Sequence, residues 1–302
     1  MEKLGALAAF GTAVCWSLSA IFFETTSRKV GALAVNFWKV FVAFFFLAFA
    51  ALLDRGIPFP WDASLHAWVY LSISGIVGFV IADYFLFNAY ILIGSRITVI
   101  FQALTPLFTT LFAFLFLGER MAPVRLLGTA VVICGILIVV TSRKKNSPGG
   151  KAAPSAAATK KGYVFAFLSS LFQAAGLIFS KIGLGGYNAI SGTQIRVFTA
   201  IAGFALQIFL MKQSVQIFRT APSEKRVRIP LLIGSVFGPF LGVYFSLFAL
   251  QNTQAGTAST LMALTPILII PSSILILKQK VSAKEILGAA VAVSGAALFF
   301  LL

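Results

Sequence analysis

The sequence predicts an all-α polytopic membrane protein, ten transmembrane helices arranged as two inverted five-helix repeats. Three observations predict it: composition, the length of the apolar runs, and an internal repeat. Of 302 residues, 59% are hydrophobic and only 11% charged, where a soluble domain carries roughly 25% charge. The mean hydropathy is +0.98. Runs near the ~20 residues needed to cross a bilayer fall at 4–23, 32–53, 67–91, 97–117, 121–141, 162–182, 189–211, 229–250, 255–277 and 282–302. Moving along the chain by 160 residues carries Ala103-Leu104-Thr105-Pro106 onto Ala263-Leu264-Thr265-Pro266. The same offset carries Gly78 onto Gly238, Tyr84 onto Tyr244, Gly128 onto Gly288 and Gly135 onto Gly295. An offset of 157 serves the earlier runs: Gly5 meets Gly162, Ile21-Phe22 meets Ile178-Phe179, and Lys39-Val40-Phe41 meets Arg196-Val197-Phe198. Five spans per copy is an odd number, so the second copy inserts upside down. That plan recurs in secondary transporters, where two packings of one unit can exchange roles.

The first run follows Glu2-Lys3 and has no small-residue cleavage site before Glu24, so it reads as a retained helix, not a signal peptide. Trp16 and Ser19 lie one turn apart on it, and Glu24 ends it. The second run carries Lys39 near its start, where a long side chain is expected to snorkel to the head groups. The third carries Asp83, Tyr84 and Asn88, with Tyr84 and Asn88 on one face. A carboxylate inside a span is costly and faces an interior cavity or a partner. Asp83 therefore binds a substrate ammonium or a proton, or pairs with Lys39. In the fourth run Gln102 stands one turn before Pro106, which is expected to kink the helix. Gly128 and Gly135 share one face of the fifth and are expected to hold it tightly against its bundle.

Residues 142–161, SRKKNSPGGKAAPSAAATKK, cannot bury a core and read as a flexible basic linker. Beyond it, Gln173 aligns with Trp16, Lys181 with Glu24 and Arg196 with Lys39, and Arg196 carries the same snorkelling expectation. Tyr244, Pro266 and the Gly288/Gly295 pair complete the second copy. A few polar groups among aromatics is what a site for a small amphipathic molecule requires. The candidate substrate residues are thus Trp16, Ser19, Asp83, Tyr84, Asn88, Gln102, Gln173 and Tyr244. Possible charge partners are Glu24, Lys39, Lys181 and Arg196, and the kinks are Pro106 and Pro266.

The net charge of +16 comes from 24 basic residues against 8 acidic, and most of the basic ones lie between apolar runs. They are topology determinants and lipid contacts, not a nucleic-acid surface. Seventeen flank the odd-numbered connections and five the even-numbered side with both termini. The positive-inside rule then puts the linker in the cytoplasm and the termini outside. Cys15 and Cys134 sit within apolar runs and His66 in a polar loop, so no disulfide or metal site is expected. No GxxxxGK[ST] loop, selectivity filter, HExxH or Ser/His/Asp set is present. No cofactor and no enzymatic activity are expected.

Spans four and five read ALTPLFTTLFAFLFLGERMAPVRLLGTAVVICGILIVV. A proline-bearing helix, an LGE turn and a glycine-spaced last helix resemble the EamA branch of the drug/metabolite transporter superfamily. The resemblance covers the whole chain in two copies, the second with Leu277-Lys278-Gln279-Lys280 in place of Leu117-Gly118-Glu119-Arg120. It implies a ten-helix basket in the inner (plasma) membrane, with a central cavity and alternating access. It also implies export of amino acids, aromatic ones included, or of related metabolites. The expected partners are a small-molecule substrate and membrane lipids, and a monomer is compatible with this plan. The alternatives are a carrier of anionic or phosphorylated metabolites, which would recruit Lys39, Lys181 and Arg196, and a non-transporting scaffold or membrane enzyme.

Overall fold

The computed structural model describes residues 1–142, 156–211, 225–265, 267–268 and 282–301, and all regular structure among them is helical. In the first half these are α1 (Glu2–Val30), α2 (Ala32–Arg55), α3 (Leu65–Gly75), α4 (Ala82–Gln102), α5 (Thr105–Leu117) and α6 (Pro123–Ser142). The second half supplies α7 (Ala156–Leu184), α8 (Ala189–Leu210), α9 (Lys225–Ser235), α10 (Val243–Asn252), α11 (Ala255–Met262) and α12 (Ala283–Leu301). A π-helical turn, Ile76–Ile81, joins α3 to α4, and another, Val236–Gly242, joins α9 to α10. Among the described residues six stretches are long and apolar enough to cross a bilayer: Glu2–Ala20, Ala32–Arg55, Leu65–Ala89, Lys160–Leu184, Ala189–Leu210 and Val227–Asn252. Thr105–Leu117 and Pro123–Val139 are shorter apolar helices.

Local chemistry sets the ends. Gly31 alone separates α1 from α2 and takes φ 85°, a backbone that a side chain would strain. Ser64 accepts a hydrogen bond from the Ala67 amide to start α3, and Asn188 accepts from the Ile190 and Ser191 amides to start α8. Ser282 and Glu285 cap α12 reciprocally: the Ser282 amide donates to Glu285 and the Glu285 amide to the Ser282 hydroxyl.

Four expectations change. First, α1 runs on to Val30, so Glu24 lies inside it and not at its end. Second, α4 is helical through residues 92–96 and ends at Gln102. Yet Phe85 meets Phe165 while Phe108 meets Phe167, two residues along on α7. A straight helix would separate Phe85 from Phe108 by about 34 Å, so the chain doubles back between them. Third, Pro106 does not kink a continuous helix. The helix breaks at Ala103-Leu104, and Pro106 sits in the first turn of α5, where its missing N–H costs nothing. The equivalent pair Ala263-Leu264 also interrupts the helix; Pro266 lies outside the described residues.

Fourth, the glycine pairs bring the last helix of one half against the last helix of the other. A Cβ at Gly135 would lie 2.4 Å from the Ala292 amide and 2.6 Å from the Gly288 carbonyl. One at Gly295 would lie 2.8 Å from the Val132 amide and 3.0 Å from the Gly128 carbonyl. Backbone-to-backbone approach of this kind is how helices adhere where no hydrophobic effect separates them from lipid. Gly135→Leu is expected to force α6 and α12 apart at a cost of about 3 kcal/mol. The check is a lower melting temperature in detergent than that of a lipid-facing control such as Leu127→Phe.

The first helix of each half leaves its own half. α1 lies along α9, the turn Val236–Gly242 and α10, while α7 lies along α3, the turn Ile76–Ile81 and α4. The meeting points correspond under the sequence offsets. A Cβ at Gly5 would strike Asn252 and Thr253, and one at Gly162 would strike Leu92 and Ile93.

Candidate functional site

Among the described residues two cations lie inside the helix bundle, one from each half. Lys39, about 10 Å from the start of α2, pairs with Asp83 at 2.8 Å, their side chains only 8% and 12% exposed. The rings of Phe23 and Phe87 flank the ammonium at 5.6 and 5.4 Å. Lys39 therefore does not snorkel, and Asp83 has the partner that a mid-span carboxylate demands. Desolvating either charge alone costs several kcal/mol, so neither is held here without the other.

Arg196 stands on α8, 157 residues beyond Lys39, and does not snorkel either. The residue is 5% exposed, and its guanidinium stacks on the Phe79 ring at 5.0 Å. It pairs with no carboxylate among the described residues, and its buried Nε has no hydrogen-bond partner. Two glycines admit it. A Cβ at Gly75 would lie 2.5 Å from the Arg196 carbonyl, and one at Gly78 would lie 3.2 Å from Nη2.

At one end of the bundle the halves are tied together by a belt of polar contacts. Lys181 pairs with Glu119 at 2.6 Å and donates to the Thr253 carbonyl at 2.5 Å. Glu119 also accepts from the Ala255 amide, capping α11. It is delivered there by Gly118, whose φ of 67° turns the chain at the end of α5. So Lys181 finds its charge partner in Glu119, and the single-copy LGE turn is a tie across the halves. Arg55 binds Asp62, Tyr187 (3.1 Å) and Ser191 (2.7 Å), and Asn188 donates to Asp54 at 2.8 Å. Its hydrogen bond with Arg55 holds the Asp62 carboxyl below the usual carboxylate range, so this latch persists at neutral pH and opens only in acid. Arg125 and Glu2 add a further pair.

The remaining sequence candidates divide. Trp16 and Ser19 point at the second π turn: a Cβ at Gly242 would lie 2.6 Å from the Trp16 indole, and one at Gly238 3.4 Å from Ser19. Phe23 covers Gly234 in the same row. On α7 the equivalent row is Gln173, Gly176 and Ser180. Gly176 touches Gly78, and Ser180 shares a hydrogen bond of 2.6 Å with Ser74; Gln173 is half-buried. Gln102 donates to Ser169 at 2.8 Å and accepts from Thr105. Tyr244 is half-buried beside Phe245 and Phe248. Tyr84 is not brought to the charges: it is 38% exposed with its ring near Phe165, and Asn88 donates to its carbonyl. The side chain of Glu24 lies outside the described residues.

The π turns were not expected. Each widens the helix by one residue, a feature common at functional sites, and they begin 160 residues apart at Ile76 and Val236. Pro239 in the second is the one sequence signal, because it cannot donate to the ladder.

Comparison with known proteins agrees with this architecture. No curated protein matches the chain. One solved crystal structure, 19% identical, covers 100% of this chain and 98% of its own with a TM-score of 0.75, a likeness of fold. The model of the EamA-like transporter family matches residues 3–141 and 160–301. A multi-pass helical chain with charges sealed among its helices, matched almost end to end by that model, belongs to the EamA-like transporter family of the drug/metabolite transporter superfamily.

Proposed function

We propose that this transporter is a secondary exporter of small organic metabolites, amino acids and aromatic ones among them, working by alternating access. In this reading ten helices form two inverted repeats, residues 1–141 and 162–302, joined by the linker 142–161 around a central cavity. The observation that carries it is the placement of interior charge. Lys39 and Arg196 are equivalent under the 157-residue offset, and each stands about 10 Å from the end at which its own helix starts. Because the copies are inverted, the two cations mark opposite halves of the membrane. One packing of α1 and α7 against the π turns then opens the route to one cation, and the exchanged packing opens it to the other. Trp16, Ser19, Asp83 and Gln173 meet the substrate near that crossing, with Gln102 and Tyr244 at its edge. Tyr84 and Asn88 join them where α4 is exposed. Pro106 and Pro266 place the helix breaks beside which spans four and nine move.

Counterflow by the purified protein in sealed liposomes, across a panel of the twenty amino acids, tests this. At least one aromatic amino acid is expected to show saturable counterflow above protein-free vesicles, and an inert panel with folded protein contradicts the reading. The charge bias places the linker in the cytoplasm and the termini outside, which would set Lys39–Asp83 in the cytoplasmic half. In a cysteine-free background, a cysteine near Met1 should label from outside intact cells and one at Ser155 should not. The reverse pattern overturns the orientation.

A further inference from the structure

We infer that Arg196 receives the carboxylate of the transported molecule, and that this end of the substrate carries a single negative charge. The inference deepens the transport reading and rests on it for movement, but its binding step stands separately. Three observations carry it.

The first is the missing acid. In the first half Lys39 is neutralised from within the protein by Asp83. The residue 160 positions beyond Asp83 is Val243, buried and apolar, so among the described residues the second half brings no carboxylate to Arg196. The second is the slot. Gly75 lets α3 approach the Arg196 carbonyl, Gly78 leaves room for Nη2, and Phe79 supports one face of the guanidinium. The stacked face is apolar, while the edge still bears its N–H donors, and Nε has no acceptor. A planar fork of donors with one face covered matches a carboxylate through two parallel hydrogen bonds. The third is the charge count. Of the three cations that an anion carrier would recruit, Lys39 holds Asp83 and Lys181 holds Glu119. Only Arg196 is left, which balances one negative charge and leaves a phosphate dianion half neutralised. A carboxylate on the open edge of this guanidinium restores in the second half the pairing that Asp83 provides in the first.

The test uses three probes on purified full-length protein. They are L-phenylalanine, phenylpropionate (carboxylate without amine) and phenethylamine (amine without carboxylate). Binding is read by calorimetry in detergent and movement by counterflow in liposomes. Wild type is expected to bind both carboxylates more tightly than phenethylamine. Arg196→Gln should weaken both by about 30-fold, the order expected for losing charge-assisted hydrogen bonds, and leave phenethylamine unchanged. Arg196→Lys keeps the charge without the fork, so an intermediate loss of about 5-fold is expected; it also serves if the glutamine variant fails to fold. Wild type that binds neither carboxylate overturns the inference, as does either folded variant that binds them at full strength. Carboxylates bound through Arg196 but never moved overturn the transport reading and leave the binding assignment standing.

Discussion

Asp83→Asn is expected to reduce substrate flux at least 100-fold while the protein still inserts. Among the described residues the carboxylate is the sole ion-pair partner of the buried Lys39 ammonium. Removing one member of a buried pair leaves the other charge uncompensated, at a cost of about 3–5 kcal/mol. The ammonium must then lose its proton or draw water between α2 and α4, and in both cases the carboxylate that an arriving ammonium or proton would bind is gone. Instability alone would also lower flux, so the double variant Lys39→Gln/Asp83→Asn separates the two. With no charge left to desolvate, it should regain most of the melting temperature and none of the flux. Normal flux from Asp83→Asn would remove this residue from the mechanism. Tyr84→Ala serves as the contrast. Its ring is 38% exposed beside Phe165, so its loss is expected to cost much less than that of Asp83.

Much of this was legible because a bilayer allows few solutions. An apolar run of about 20 residues must be a helix, and α2, α6, α8 and α12 lie within two residues of where the runs put them. A carboxylate inside a span needs an interior partner or cavity, and of the alternatives left open by the sequence Asp83 takes the pairing with Lys39. What stayed hidden has equally physical causes. Lipid-facing and helix-facing residues are both apolar, so no pattern said that Gly135 meets Gly288 across the halves, or that Tyr84 is left 38% exposed. A π turn adds one residue without disturbing an apolar run, so Ile76–Ile81 left no trace. Snorkelling was the natural expectation for Lys39 and Arg196 at a distance of about 10 Å from their helix ends. It fails because Asp83 stabilises one charge and the glycine slot with Phe79 admits the other. The linker between α6 and α7 and Pro266 lie largely or wholly outside the described residues, and the placement of Glu119 required the tertiary structure, since its motif has no second copy.

In the proposed alternating access, α1 and α7 part from and rejoin the π-turn helices in turn. Ser74 and Ser180 offer a direct handle on it, since their hydroxyls lie 2.6 Å apart across the contact between α3 and α7. Side chains this close fall within reach of a disulfide. With Cys15 and Cys134 replaced by serine, the pair Ser74→Cys/Ser180→Cys is expected to cross-link under mild oxidant and trap the packing described here. Neither hydroxyl is among the proposed substrate contacts, so the reduced double variant should still transport. Counterflow is measured in the same liposomes before oxidation, after it, and again after a membrane-permeant reductant. Flux is expected to fall by about 90% or more on cross-linking and to return on reduction, because a transporter locked in one packing cannot complete a cycle. Undiminished counterflow from fully cross-linked protein would contradict it.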